Sequence, residues 1–348
     1  MAAPPTRFDD FILSVRQTVT DFDMIRPKDR VLVGVSGGSD SMALVQCLLR
    51  LTQEMAFGIG IAHLNHGLRP DDAQRDQAFV KSFSEKHRIE YHTQTADTHA
   101  YAAREKRSIE EAGRILRHDF LESVSQTHSY SKIALGHHRD DNAEQVLMNL
   151  LRGAGITGLS GIPPIREHGI IRPLIRQSKS DIRSFLDRID QPFMEDASNQ
   201  DTRFLRNKIR LQLIPLLRDA YNPEICNTLN RLSDVVRQED EWANTLTEQI
   251  FESLDNLKVE PDQIRFGASP FIKLHDAVKR RIIRHAILKI KRNLKRITLA
   301  HVEDVIALAA GGVGGKSLDL PDRIRIFIDK GCLCFKKESV PLRQLNRK

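Results

Sequence analysis

The sequence is poor in the residues that would announce a disulfide framework, a metal cluster or a membrane span. Four cysteines in 348 residues (Cys47, Cys226, Cys332 and Cys334) make no CxxC pair and no metal spacing, so they are expected as reduced core thiols. No apolar run approaches the roughly 20 residues of a membrane span. The start, MAAPPTRFDDFILSV, lacks the basic-then-apolar order of a secretory leader, and the expectation is a cytoplasmic protein. Aromatics make up 6% with a single tryptophan, while 40% hydrophobic and 28% charged residues describe an ordinary globular chain. One further absence is chemical. The stretch VLVGVSGGSDSMAL, residues 31 to 44, has the glycines of a phosphate loop but no lysine.

What is present from residue 31 to about 190 is alternation. Strand-like VLVGV (31–35), FGIGIAHL (57–64), IEYHTQT (89–95), KIALGH (132–137) and IIRPLI (170–175) are separated by helix-like segments. That pattern implies an α/β fold with a doubly wound parallel sheet, whose ligands sit at the strands' carboxyl ends. The alternation stops near residue 195. A helical stretch follows over roughly 203 to 254, interrupted around Tyr221-Asn222-Pro223, and the end of the chain reads as a β-hairpin about Asp329-Lys330-Gly331. The expected organisation is a nucleotide-binding domain over 1–218 and a mostly helical, basic domain over 219–348. In the latter, residues 279 to 296 carry nine basic side chains and no acidic one, within a formal net charge of +7. A single-sign stretch favours a polyanion partner over a plain solvated face.

Two motifs fall at strand ends. In Ser36-Gly37-Gly38-Ser39-Asp40-Ser41 the glycines let the backbone curl around an anion, and the following helix turns its first amides outward. Without a lysine, such a loop suits holding pyrophosphate while the α-phosphate is attacked. Asp40 is then a magnesium ligand or an orienter of the loop. In GHHRDDNAEQ, 136 to 145, Asp140, Asp141 and Glu144 gather on the first helical turns, either as a helix cap or as a cation site for magnesium or an ammonium group. A hydrolytic metal centre on His63, His66, His137 and His138 is an alternative. GGVGGKS, 311 to 317, imitates a P-loop but has Ala310 where glycine is required and follows a helix-like run.

SGGSDS resembles the signature of the PP-loop ATP pyrophosphatases, which adenylate a substrate oxygen and release pyrophosphate. GHHRDDNAEQ is similar to the GHHxDDxxET block of the tRNA(Ile)-lysidine synthases, with Gln145 in place of threonine. HLNHGLR (63–69), IEEAGRILRHDFL (109–121), LRGAGITGLSGI (151–162), RPL (172–174) and EDASNQDTRFLRNKIR (195–210) agree in order, with Gly113 and His118 as minor departures. The resemblance covers about residues 30 to 215. It implies an ATP-dependent ligase that uses ATP as substrate and Mg2+. Free L-lysine would be joined to C2 of the wobble cytidine of an isoleucine tRNA with a CAU anticodon, changing its codon from AUG to AUA. By the same resemblance, Ser36, Gly37, Gly38, Ser39, Asp40 and Ser41 bind ATP; Asp40 and Asp141 are expected to be catalytic, and Asp40 and Asp140 to hold the metal. Asp141 and Glu144 would bind lysine, and Arg114, Arg203, Arg206 and Asn207 the tRNA. A homodimer is compatible with the sequence, which does not fix the oligomeric state. A tRNA thiolase of the same superfamily needs a cysteine for sulfur transfer, and no cysteine adjoins a motif.

Overall fold

In the computed structural model the described residues are 7–68, 70–195, 202–311 and 316–339. Asn199 and residues 312–315 of the P-loop look-alike lie outside them. The chain divides into two compact units, one ending at Arg237 and the other starting at Gln238.

The first unit runs α1 (Arg7–Asp21), β1 (Arg30–Gly34), α2 (Ser39–Leu51), β2 (Gly58–Asn65), α3 (Pro70–His87), β3 (Glu90–Thr95), α4 (Thr98–Glu105), α5 (Ile109–Thr127), β4 (Lys132–Ala134) and α6 (Arg139–Leu151). It continues through α7 (Ile156–Leu159), β5 (Ile165–Arg166), β6 (Ile170–Ile171), α8 (Lys179–Arg188) and α9 (Leu205–Lys208), then a π turn (Ile209–Leu213) and α10 (Ile214–Ala220). The long α11 (Ile225–Glu252) begins in this unit and ends in the next.

The strand order is β3-β2-β1-β4-β6-β5, parallel except for the edge strand β5, which pairs antiparallel with β6. Period-two alternation sorts the side chains into two cores. Val31, Val33, Val35, Ile61, Ala134 and Ile171 face the layer containing α1, α2 and α8. Leu32, Ala62, Ile133 and Ile170 face Phe120, Leu121 and Val124 of α5. Because both faces are covered, the inner strands read as continuous apolar runs rather than alternating ones. The order reverses at β1, which has β2 on one side and β4 on the other. Residues 36–41 and 136–144 therefore emerge at the switch point, where open α/β sheets bind ligands.

The expected division at 218/219 falls inside a packed region. Ala143, Val146, Leu147 and Met148 of α6 form one core with Ile209, Ile214 and Leu229, so the π turn, α10 and the first turns of α11 stay with the first unit. The helical break foreseen at Tyr221-Asn222-Pro223 is present between α10 and α11.

In the second unit, the end of α11 is followed by β7 (Lys258–Glu260), β8 (Gln263–Gly267), α12 (Ala268–Ile272), α13 (Asp276–Lys291), α14 (Leu299–Gly311), β9 (Ser317–Leu320), β10 (Ile324–Asp329) and β11 (Cys332–Lys337). The expected hairpin is β10–β11, and Lys330 and Gly331 both take positive φ, 48° and 75°, as a type I′ turn requires. It belongs to a five-stranded antiparallel sheet, β7-β8-β11-β10-β9. The three- to five-residue strands β7, β8 and β9 are too short to carry a readable alternation. Ile282, Ile283, Ala286 and Ile287 of α13 pack with Phe266, Phe271 and Phe335 to make this unit's core.

The single-sign stretch 279–296 is less exposed as charge than its sequence suggests. Lys279 pairs with Asp276, Arg280 with Glu303, Arg281 with Asp240, and Lys291 and Arg296 with Asp322. Five of its nine cations thus have carboxylate partners, four of them from other parts of the unit. Among the described residues, no helix is long and apolar enough to cross a membrane.

Candidate active site

α2 starts at Gly38 in an extended conformation with no capping side chain, so its first amides face outward unclaimed. Gly37, at φ 93°, makes the turn that brings them there and is buried against Met194, Phe79 and Val80. A parallel bridge from Gly38 to Met194 and a bond from the Met194 amide to the Gly37 carbonyl (2.9 Å) fix the loop from outside. Ser41 Oγ fixes it from inside, donating to the Gly38 carbonyl at 2.9 Å and accepting from the Ser36 amide at 3.2 Å. Gly136, at the end of β4, comes so close that a Cβ there would meet the Asp40 backbone at 3.1 Å. The two motifs are in contact.

α6 opens with a reciprocal cap. The His138 amide donates to Asp141 Oδ2 at 3.0 Å, and the Asp141 amide donates to His138 Nδ1 at 3.4 Å. Asp140 and Asp40 flank the same buried imidazole, each at 3.7 Å. Two hard carboxylate donors converging from the loop and from α6 are a set that fits Mg2+. The lysine absent from the loop comes from elsewhere. Lys179, the first residue of α8, donates from Nζ to Asp40 Oδ1 at 2.6 Å and to Ser39 Oγ at 2.8 Å, while its amide donates to Asp140 Oδ2 at 2.7 Å. Lys179 lies 139 residues beyond Asp40, so no local signal could reveal it.

Asp141 and Glu144 do share a helical face, and both are already held by arginine. Glu144, 1% exposed, accepts from Arg206 Nε at 2.8 Å and from Arg210 Nε at 2.5 Å. Asp141 Oδ1 accepts from Arg206 at 3.0 Å and Arg210 at 3.1 Å. Burial works to raise the Asp141 pKa, but the charges of His138 and Arg206 outweigh it and hold the carboxyl well below the usual range. The i,i+4 spacing of Arg206 and Arg210 was a readable hint of this clamp, but Arg206 was expected only as a tRNA contact, and neither arginine was expected on these carboxylates. Next to it, Arg172 donates to His137 Nδ1 at 3.2 Å and to the Pro163 carbonyl at 2.6 Å. Burial, then the charges of Arg166 and Arg114, lower the Arg172 pKa to about 10. Burial pushes the His137 pKa down to about 3, keeping that ring neutral. Asn207 lies in α9, and Arg203, two residues ahead of that helix, is exposed.

The four histidines of the metallohydrolase alternative are separately engaged. His63 bonds the Val35 carbonyl (2.9 Å), His66 faces Thr98, His137 takes Arg172, and His138 caps α6. Among the described residues, the group whose ligand atoms cluster is Glu90, His92 and His128, at the amino ends of the strands rather than at the loops.

The family profile described as a PP-loop domain matches residues 10–217. The tRNA(Ile)-lysidine synthase of Clostridium tetani is 35% identical over 318 residues, covering 91% of this chain and 67% of that protein. The one from Chlorobaculum tepidum is 31% identical over 314 residues, covering 90% and 92%. Among solved structures, the U34-tRNA thiolase of Methanococcus maripaludis superposes with a TM-score of 0.54 at 19% identity, over 66% of this chain and 80% of that one, a likeness of fold alone. With this loop, this acidic helix start and these relatives, the chain belongs to the tRNA(Ile)-lysidine synthase family, built on a PP-loop ATP-binding domain.

Proposed function

We propose that this chain joins the ε-amine of free lysine to C2 of the wobble cytidine of an isoleucine tRNA with a CAU anticodon, turning an AUG reader into an AUA reader. The C2 oxygen attacks the α-phosphorus of ATP and the α–β bond breaks, releasing pyrophosphate. The amine then attacks C2, and the oxygen leaves with AMP. The observation that carries the reading is one juxtaposition: the uncapped start of α2 lies against Gly136, just ahead of the helix that carries Asp141 and Glu144.

In this reading Ser36, Gly37, Gly38, Ser39 and Ser41 hold the phosphate chain with amides and hydroxyls. Lys179 supplies the positive charge that phosphate loops usually carry within themselves. Asp40 and Asp140 would hold Mg2+, which supplies charge neutralisation for the departing pyrophosphate. Arg114, Arg172 and Arg206 line the approach for the RNA and its adenylate. Asp141 and Glu144 receive the ammonium group of lysine, and one of them takes its proton when it attacks. Because Arg206 and Arg210 bond both carboxylates, a cationic substrate enters by exchange, with the arginines turning to the anionic RNA adenylate.

The test is to incubate the protein with ATP, Mg2+, labelled lysine and an unmodified isoleucine tRNA transcript. Label enters the tRNA only with ATP present, and AMP appears in equal amount. ATP turnover without label in the tRNA would overturn the reading. Dependence of the product on a thiol would favour thiolation instead, which the fully buried Cys47, its pKa pushed up by burial, does not support.

A further inference from the structure

Beside the active site, the first unit has a second cavity of about 370 Å³, walled by four arginines: Arg139, Arg176, Arg231 and Arg237. Its floor is rigid. Asn142, 2% exposed, bonds Asn230 at 2.9 Å, Ser233 at 3.2 Å and the Ile162 amide at 2.6 Å, and Asn230 reaches the Arg139 carbonyl at 3.0 Å. These amides are consumed internally, so ligand chemistry falls to the guanidinium groups. Two of the four are compensated, Arg176 by Asp21 and Arg237 by Asp234 at 2.8 Å. Arg139 and Arg231 have no carboxylate partner among the described residues. Moreover, Nε of Arg139 and Nε of Arg237 are buried with no hydrogen-bond partner. A buried N–H donor left unmade costs about 1–3 kcal/mol, more when the group is charged, and two of the arginines that line this cavity each carry one. Phe22, already under the Arg176 guanidinium at 4.7 Å, gives the same cavity an aromatic face.

The position of Arg139 ties the cavity to the active site. Arg139, Asp140 and Asp141 are the first three residues of α6, about 100° apart around the helix. Arg139 lines this cavity, Asp140 meets the amide of Lys179, and Asp141 meets Arg206 and Arg210. An anion held by Arg139 therefore lies one residue from the carboxylates around the PP-loop. Guanidinium donors match phosphate oxygens, and an aromatic face beside them suits an unstacked base. We propose that this cavity is a phosphodiester pocket that grips the RNA strand on the flank of α6 while a neighbouring nucleotide enters the active site. It rests on the reading that the substrate is a tRNA. It moves part of the RNA recognition from the largely paired stretch 279–296 to unpaired cations of the first unit.

The experiment measures binding of unmodified tRNA to the full chain across a salt series, for wild type, Arg139→Gln, Arg231→Gln and the double variant. Thermal melts and ATP binding serve as controls. Arg231 is exposed, so its single variant keeps the test open if Arg139→Gln fails to fold. Loss of one phosphate contact is expected to weaken binding about tenfold per arginine and to lower the slope of log K against log salt by about one. ATP binding stays unchanged. A wild type that does not bind tRNA would sink the parent reading, not the pocket alone. Wild-type affinity and slope in the double variant would overturn the pocket. If the variants instead lose binding of AMP or pyrophosphate and keep that of tRNA, the cavity is a site for free phosphates, and the RNA assignment is wrong.

Discussion

Glu144→Gln separates a substrate site from a helix clamp. In the folded chain the carboxylate is buried and bonded by two guanidinium groups, with Arg206 28% and Arg210 35% exposed. Removing one member of a buried ion pair costs roughly 3–5 kcal/mol. Both arginines keep Asp141 and some solvent contact, which reduces the expected loss to about 2–3 kcal/mol. For a unit of this size that is a fall in Tm on the order of 5–10 °C. A clamp predicts this loss and nothing more. The lysine site predicts in addition that the apparent KM for lysine rises by tenfold or more while ATP binding is kept. Arg210→Gln is the complementary change. If lysine must displace an arginine, freeing an oxygen of Glu144 lowers the lysine requirement despite the loss of stability. Paired melts and lysine titrations decide it. A Tm within a degree of wild type would refute the energetic argument. A large Tm loss with unaltered lysine dependence in both variants would refute the site.

Other expectations follow from single contacts. Lys179→Met should slow ATP–pyrophosphate exchange by about ten- to a hundredfold with less than about 1 kcal/mol lost in stability, since the half-exposed Lys179–Asp40 pair contributes little to folding; Lys179→Arg should recover part of the rate, and equal rates for all three would remove Lys179 from the chemistry. Gly136→Ala should weaken ATP binding without unfolding the sheet, because the new methyl presses on the Asp40 backbone at 3.1 Å and shifts the start of α2; calorimetric ATP titration reads it directly. Burial, then the charge of Arg117, lowers the His66 pKa to about 4. The folded ring therefore stays neutral while the unfolded one takes a proton below about pH 6.5. The contribution of His66 is complete above that value and falls by about 1.4 kcal/mol per pH unit down to pH 4. Denaturant midpoints of His66→Asn should show a flatter decline than wild type across this window.

Most of the first unit is legible because its code is local. A strand covered on both faces must be apolar along its length, as Val31-Leu32-Val33 is, and a glycine-serine turn after it leaves little choice but a helix start facing a ligand. What escapes is non-local. Lys179 reaches Asp40 only through the packing of α8 on α2, and Glu144 meets Arg210 only because the π turn that carries Arg210 packs against α6. The same limit applies to charge. Sequence proximity made residues 279–296 look like an open basic face, while Glu303, Asp240 and Asp322 answer it from elsewhere in the fold. Short β7, β8 and β9 are unreadable for a related reason: their pairing partners define them, not their own pattern.

The fan of side chains at the start of α6 makes its reading frame matter more than its letters. Three consecutive residues serve three different neighbours because each step turns the helix by about 100°. Conservative replacements at Arg139, Asp140 or Asp141 alter that residue's own contacts and leave the other two residues aimed. Deleting a single residue between Ala134 and Arg139 would instead rotate the whole set, sending a carboxylate into the arginine cavity and an arginine toward the Asp40 side. Insertions and deletions in this short connection are therefore far more damaging than substitutions, although the segment is a loop, the kind of place where length changes are ordinarily tolerated. A library of single-residue deletions scanned from Leu135 to Asp141 would register as a sharp gap in function bounded by tolerant positions elsewhere on the surface.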